Sequence, residues 1–222
     1  MANTVIIFSH GMGLRKDNRG MFDDISQALK DSGIEMVTFD YCDFNSETSE
    51  LSVLPFSANA KKLQAQIDLV LTRKPDANII IIGQSQGCII PALCDLSHIS
   101  QIIAISPFFH TNIQETISRY KSNFKSEVNL TAITKRIRSD GTTTIIPPEY
   151  WKERFETDVV KLFNETALKT RLTLICPIQD EIMKYTELKL IKYARIINAD
   201  GNHDFSGQYR SILINIIHKE IC

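Results

Sequence analysis

Short runs of β-branched residues alternate along the chain with stretches whose apolar positions repeat every three or four residues. This is the pattern of a parallel sheet covered by helices. The first run, Val5-Ile6-Ile7-Phe8, is continuously apolar, as a strand buried on both faces should be. Met21, Phe22, Ile25, Ala28 and Leu29 follow at helical spacing, and Gly33 is placed to end that segment. Met36-Val37-Thr38-Phe39 predicts a second strand. Leu63, Ile67, Val70 and Leu71 then mark a helix capped by Ser57, with Pro75 just beyond its end. Ile79 to Ile82 is the strongest strand signal, running straight into Gly83. A helix from about Gln86, disturbed by Pro91, leads to a strand over 101–105. Leu172 to Ile175 and Ala194 to Ile197 predict the last two strands. Tyr209, Ile212, Leu213, Ile216 and Ile217 predict a closing amphipathic helix.

Between Pro107 and about Lys169 the alternation breaks. Asp140-Gly141 between β-prone residues signals a tight hairpin, and Pro147-Pro148-Glu149-Tyr150-Trp151 reads as a helix start. Residues 108 to 168 are therefore expected to form a lid, inserted after the fourth core strand of a single domain spanning 1–222. Phe108, Phe109, Tyr120, Phe124, Tyr150, Trp151 and Phe155 enrich this region in aromatic rings. They either face an apolar acyl or aromatic group of a substrate or dock the lid onto the body.

Bulk properties narrow the field. The chain has 222 residues, 43% of them apolar and 23% charged, which suits one globular domain. A formal charge of −1 gives no electrostatic reason to expect nucleic acid or an anionic membrane as partner. The basic cluster Lys135-Arg136 with Arg138 reads as a solvated face. Cys42, Cys88, Cys94, Cys176 and Cys222 form no CxxC pair, and no metal site or disulfide framework is expected from them. Met1-Ala2-Asn3-Thr4 lacks a basic flank, so no signal peptide is read. No apolar stretch reaches the ~18 residues of a membrane span. A cytoplasmic setting is the resulting expectation, with no cofactor.

The chemistry concentrates at Gly83-Gln84-Ser85-Gln86-Gly87, a G-x-S-x-G motif. Chance alone supplies that motif about 0.07 times in a chain of this length. Here it sits between a strand and a predicted helix, where the serine would occupy a sharp turn needing small residues two before and two after it. The plainer reading is a serine capping an ordinary strand-to-helix turn, with glycine present only for the bend. A histidine within reach would serve as base and a carboxylate would orient it. Cys176-Pro177-Ile178-Gln179-Asp180 follows the fifth predicted core strand, and Gly201-Asn202-His203-Asp204-Phe205 follows the sixth.

In motif, order and strand context the chain resembles the α/β-hydrolase superfamily over nearly its whole length. The resemblance implies an α/β fold with a mostly parallel central sheet and helices on both faces. It implies Ser85 as nucleophile, Asp180 as acid and His203 as base. Gln179 stands where family members usually have glycine, and Glu181 in the same loop is a rival acid; Asp200 and Asp204 are further candidates. By the same resemblance the backbone N–H groups of Met12 and Gln86 would form the oxyanion hole. His10, Gly11 and Gly13 would shape the loop Ser9-His10-Gly11-Met12-Gly13. A phosphate loop is the alternative there, though neither a third spaced glycine nor a Gly-Lys-Ser/Thr run follows. Among the other histidines, His98 and His218 suit surface or packing positions, and His110 could approach substrate.

The expected function is a serine hydrolase that cleaves a small ester or thioester through an acyl-enzyme. A small serine peptidase or amidase of the same fold is the first alternative, and a non-catalytic ligand-binding protein the second. Dehalogenases and epoxide hydrolases of this fold place aspartate where Ser85 stands.

Overall fold

A computed structural model describes residues 3–109, 112–138 and 140–221. Its framework is a six-stranded sheet made of β1 (Thr4–Ser9), β2 (Glu35–Val37), β5 (Asn78–Gln84), β6 (Ile99–Ile105), β9 (Arg171–Pro177) and β10 (Arg195–Ala199). The spatial order is β10-β9-β6-β5-β1-β2, and every neighbouring pair is parallel.

Strand residues alternate between the two sheet faces, and both faces are apolar. Val5, Ile7, Ile79 and Ile81 pack into one layer with α2 (Phe56–Arg73), through Leu63, Ile67 and Val70. Ile6, Phe8, Ile80 and Ile82 pack into the other with α1 (Met21–Ala28) and α6 (Arg210–Ile221), through Phe22, Ile25, Leu213 and Ile217. A fully buried aliphatic or aromatic side chain contributes roughly 1.5–3 kcal/mol, so this run of residues fixes the sheet and its register.

Three local features depart from the sequence expectations. Ser57 is not the cap of α2, which starts after Pro55; its Oγ donates to Glu153 Oε1 (2.6 Å) and its N–H to Glu153 Oε2 (2.8 Å), tying α2 to a later helix. After Gln84 the chain forms two short 3-10 turns, Ser85–Cys88 and Ile90–Leu93, in place of an α-helix. Pro91, which has no N–H, lies inside the second turn and could not continue an α-helical ladder. The third departure is a second sheet, of four strands. It joins β3 (Asp43–Asn45) and β4 (Glu50–Ser52), ahead of α2, to the hairpin of β7 (Thr134–Ile137) and β8 (Thr143–Ile146).

The stretch between β6 and β9 also holds α3 (Ile113–Phe124), α4 (Pro148–Glu156) and α5 (Val159–Ala167). The hairpin turn carries Gly141 at φ +83°, and Arg138 N–H donates to Thr142 O at 2.9 Å. The end of the stretch belongs to the body: Val159 and Phe163 of α5 sit in the same apolar layer as Leu172 and Leu174 of β9. No helix among the described residues is long and apolar enough to cross a membrane.

Candidate active site

Ser85 follows directly on β5 and holds φ +52°, a left-handed conformation that costs a non-glycine residue about 1–2 kcal/mol. Close backbone approach explains the flanking glycines. A Cβ on Gly83 would lie 2.4 Å from Gly87 O, and one on Gly87 would lie 2.0 Å from Ser9 O. Both distances are far inside van der Waals contact. The turn therefore presses β5 against the end of β1 and turns Ser85 outward.

His203 sits in the loop after β10. Its Nε2 is 3.1 Å from Ser85 Oγ, and its Nδ1 is 2.9 Å from Asp180 Oδ2 and 3.1 Å from Oδ1. The His203 and Asp180 side chains are only 5% and 1% exposed, so the contact is largely shielded from water. Asp180 Oδ1 also accepts from Ile182 N–H (2.8 Å) and Met183 N–H (2.7 Å), and Oδ2 accepts from the Tyr185 hydroxyl (2.5 Å). Burial pushes the Asp180 carboxyl upward in pKa. Hydrogen bonds from His203, Tyr185 and Met183, with the His203 charge, outweigh it and hold the group below the usual aspartate value. Burial and the adjacent carboxylate raise Tyr185, which stays a protonated donor.

The rival acids are engaged elsewhere. Glu181 Oε2 accepts from the His203 backbone N–H at 3.2 Å, not from the ring. Asp200 Oδ1 lies 3.4 Å from Gln179 Nε2, and Asp204 pairs with Arg19 at 2.5 Å. Gln179 has a positive role at its position. Its Oε1 accepts from Gly201 N–H (2.7 Å) and its own N–H donates to Gly201 O (3.0 Å), so it ties the acid loop to the histidine loop. The His203 carbonyl accepts from Ser106 Oγ at 2.7 Å, which anchors the loop to the end of β6.

The loop after β1 is pinned just as firmly. Tyr41 N–H donates to His10 Nε2 at 2.9 Å, so that nitrogen carries no proton, and Nδ1 is left to donate to Gly11 O at 2.9 Å. Burial lowers the His10 pKa, in keeping with a neutral ring that shapes the loop. Gly11 N–H donates to Asn18 Oδ1 (3.0 Å), and Arg138 Nη1 donates to Gly13 O (2.7 Å). Tyr150 of α4 joins the two oxyanion candidates: its hydroxyl donates to Gln86 Oε1 at 2.7 Å and touches Met12 Sδ at 3.0 Å. Burial raises the Tyr150 pKa to about 12, so it remains a hydroxyl.

Met12, Ser85, Gln86 and His203 line one cavity of about 140 Å³. That is smaller than the ~300–1,000 Å³ common for pockets that enclose drug-sized ligands, so it suits a small group. The aromatic residues divide between the two expected roles. Phe108, Tyr120 and Phe124 line the cavity, whereas Phe109 packs on buried Phe163 and Trp151 on the half-buried Phe155. His98 and His218 are exposed, and His110 lies outside the described residues. Among the described residues no group of three or more His, Cys, Asp and Glu could hold a metal ion. Sequence reasoning missed Tyr185, Tyr150 and the bridging use of Gln179. None of the three carries a motif, and each acts through a contact visible only in three dimensions.

An all-parallel sheet with helices on both faces and a serine at a strained turn after a central strand is the α/β-hydrolase fold. The chain has that fold, and its structural neighbours across its full length are α/β serine hydrolases and esterases. One is the esterase Est1E from Butyrivibrio proteoclasticus, solved with ferulic acid bound: 14% identity, TM-score 0.70, covering 98% of this chain and 88% of that one. A second comes from the metagenome-derived lipolytic enzymes LipS and LipT: 11% identity, TM-score 0.69, covering 99% and 94%. A third is the Pyrococcus furiosus esterase PF2001: 16% identity, TM-score 0.66, covering 98% and 82%. No family model matches the sequence, and no curated protein matches it.

Proposed function

We propose that the chain is a serine hydrolase that cleaves a small carboxylic ester or thioester through an acyl-enzyme intermediate. The observation that carries this reading is the continuous chain Ser85 Oγ–His203–Asp180, with contacts of 3.1 and 2.9 Å. Ser85 attacks the acyl carbon while His203 Nε2 takes its proton, a transfer that contributes about 10²–10⁴ in rate. Asp180 holds the ring so that Nδ1 carries a proton and Nε2 faces the serine, and it stabilises the imidazolium formed during attack. The oxygen of the tetrahedral intermediate takes hydrogen bonds from the N–H groups of Met12 and Gln86, each about 3 kcal/mol by analogy with other acyl hydrolases. His203 then protonates the leaving group, and water, activated the same way, releases the acid.

No cofactor is required by these steps. The substrate is a small acyl compound, and a reducing cytoplasmic setting is part of the same reading. The test compares wild type with Ser85→Ala on 4-nitrophenyl acetate and butyrate, and on the matching anilides. Ester turnover that falls at least a thousandfold in the variant is expected. Undiminished ester hydrolysis by Ser85→Ala would end the proposal, and faster anilide than ester turnover would redirect it to amide bonds.

A further inference from the structure

Cations gather in the candidate active-site cavity to a degree the rest of the chain gives no reason to expect. Arg19, Arg119, Arg136, Arg138 and Arg154 line it, against a single lining carboxylate, Asp204. These are five of the ten arginines in the sequence, whereas none of the fifteen lysines reaches the cavity, and the whole chain carries a formal charge of −1. The selection is for guanidinium, whose planar fork matches a carboxylate or phosphate, and not for positive charge in general.

Asp204 is already occupied by Arg19. Among the described residues no carboxylate lies within 4.0 Å of Arg119 or Arg136, and Arg138 meets only Asp140, at 4.0 Å and 63% exposed. The Nε atoms of Arg119 and Arg136 are buried without a hydrogen-bond partner among the described residues. Aromatic packing explains part of the cluster, since the Arg136 guanidinium lies 3.5 Å from the centre of the Phe124 ring. Stacking uses the face of the guanidinium and leaves its in-plane N–H groups to find acceptors. Burial, followed by the neighbouring arginines, lowers the pKa of Arg119 and Arg138, the mark of like charges held together out of water.

From this convergence we infer that the substrate is a small ester bearing an oxyanion group, a carboxylate or phosphate, close to the scissile bond, held by Arg119, Arg136 and Arg138. The inference rests on the hydrolase reading above and names its substrate class. Arg136 lies on β7 and Arg138 immediately follows that strand, on either side of exposed Ile137, so one short segment supplies two of the three, and Arg119 reaches in from α3. The small cavity leaves room for only a short spacer between the anion and the ester.

The experiment uses the whole chain and four chromogenic esters. 4-Nitrophenyl butyrate is neutral, the hemisuccinate places a carboxylate in the acyl part, and the 3-phosphonopropanoate places a phosphate-like group there. 4-Butyryloxybenzoate carries the carboxylate on the leaving group. At least one anionic ester is expected to exceed the butyrate tenfold or more in kcat/KM, mainly through a lower KM, and the order among the three identifies the anion and its side. Arg119→Gln and Arg136→Gln are expected to reduce the anionic-to-neutral ratio at least tenfold, and Arg136→Lys to reduce it less. In parallel, calorimetry on Ser85→Ala measures binding of the same esters without turnover.

Butyrate turned over as well as or better than all three anionic esters would overturn the inference and leave the hydrolase reading standing. No turnover by wild type, with tight binding of an anionic ester to Ser85→Ala, would retain the anion site but overturn its use in ester hydrolysis, and the hydrolase reading with it. Equal or weaker binding of all anionic esters, relative to butyrate, would remove the anion site itself.

Discussion

The Tyr185 hydroxyl gives the account a contact that can be removed without touching a reacting atom. It donates to Asp180 Oδ2 at 2.5 Å from a position where the carboxylate side chain is 1% exposed. A hydrogen bond to a charged acceptor contributes about 1.5–3 kcal/mol, so Tyr185→Phe should destabilise the fold by that amount. In a domain of this size 1 kcal/mol moves Tm by about 2–4 °C, giving an expected fall of roughly 3–12 °C at pH 7. The pH dependence follows from the lowered Asp180 pKa. Because the folded value lies below the unfolded one of about 3.9, its stabilisation is complete above about pH 5 and is lost as pH falls through the folded value. Removing the hydroxyl raises the folded value and narrows that window. The variant, though weaker at pH 7, should therefore lose less stability than wild type between pH 5 and 3. Scanning calorimetry over that range reads both effects, and kcat/KM on 4-nitrophenyl butyrate should fall about five- to thirtyfold, as for loss of a positioning contact of about 1–2 kcal/mol. A Tm change below 1 °C together with parallel acid profiles would refute the assignment of Tyr185 as the support of the carboxylate.

Three further outcomes are expected. Asp180→Asn should lower kcat by about 10⁴ by presenting the wrong tautomer of His203, whereas Glu181→Gln, which touches only a backbone N–H, should cost less than about tenfold. Steady-state kinetics on one ester separates the two acids, and the reverse order would exchange their roles. Gly87→Ala places a Cβ 2.0 Å from Ser9 O, a collision with backbone that no side-chain movement relieves, and should destabilise by at least ~3 kcal/mol or prevent soluble expression; a normal melting curve would count against the elbow geometry. Tyr150→Phe removes the hydroxyl that holds Gln86 and should cost about 1–3 kcal/mol of stability, read by urea titration; an unchanged midpoint would contradict it.

The four central strands β1, β5, β6 and β9 were legible because each is an apolar run buried on both faces, a signal independent of partners. Ser85, Asp180 and His203 were legible as candidates because each lies within four residues of the end of a strand of the main sheet. The second sheet was not. β3 and β4 are three residues each, β3 is exposed, and the pairing of β4 with β8 joins positions about ninety residues apart, as in Leu51 with Thr144. The arginines were misread for a related reason. Lys135-Arg136 with Arg138 looks like a solvated charge run, yet Lys135 points out, 65% exposed, and Arg138, just past β7, is turned in, 9% exposed, with Nη1 on Gly13 O. Only the location of the cavity gives that difference a meaning. Tyr185 and Gln179 were invisible because a tyrosine five residues past an aspartate, or a glutamine just before it, has no spacing rule of its own.

The most direct test of the central claim is reaction with a fluorophosphonate probe, wild type beside Ser85→Ala, both shown to be folded by circular dichroism. The Ser85–His203–Asp180 arrangement predicts covalent labelling of wild type at Ser85 by mass spectrometry and none of the variant. A folded wild type that stays unlabelled, or a variant labelled equally well, would contradict an activated serine at this turn.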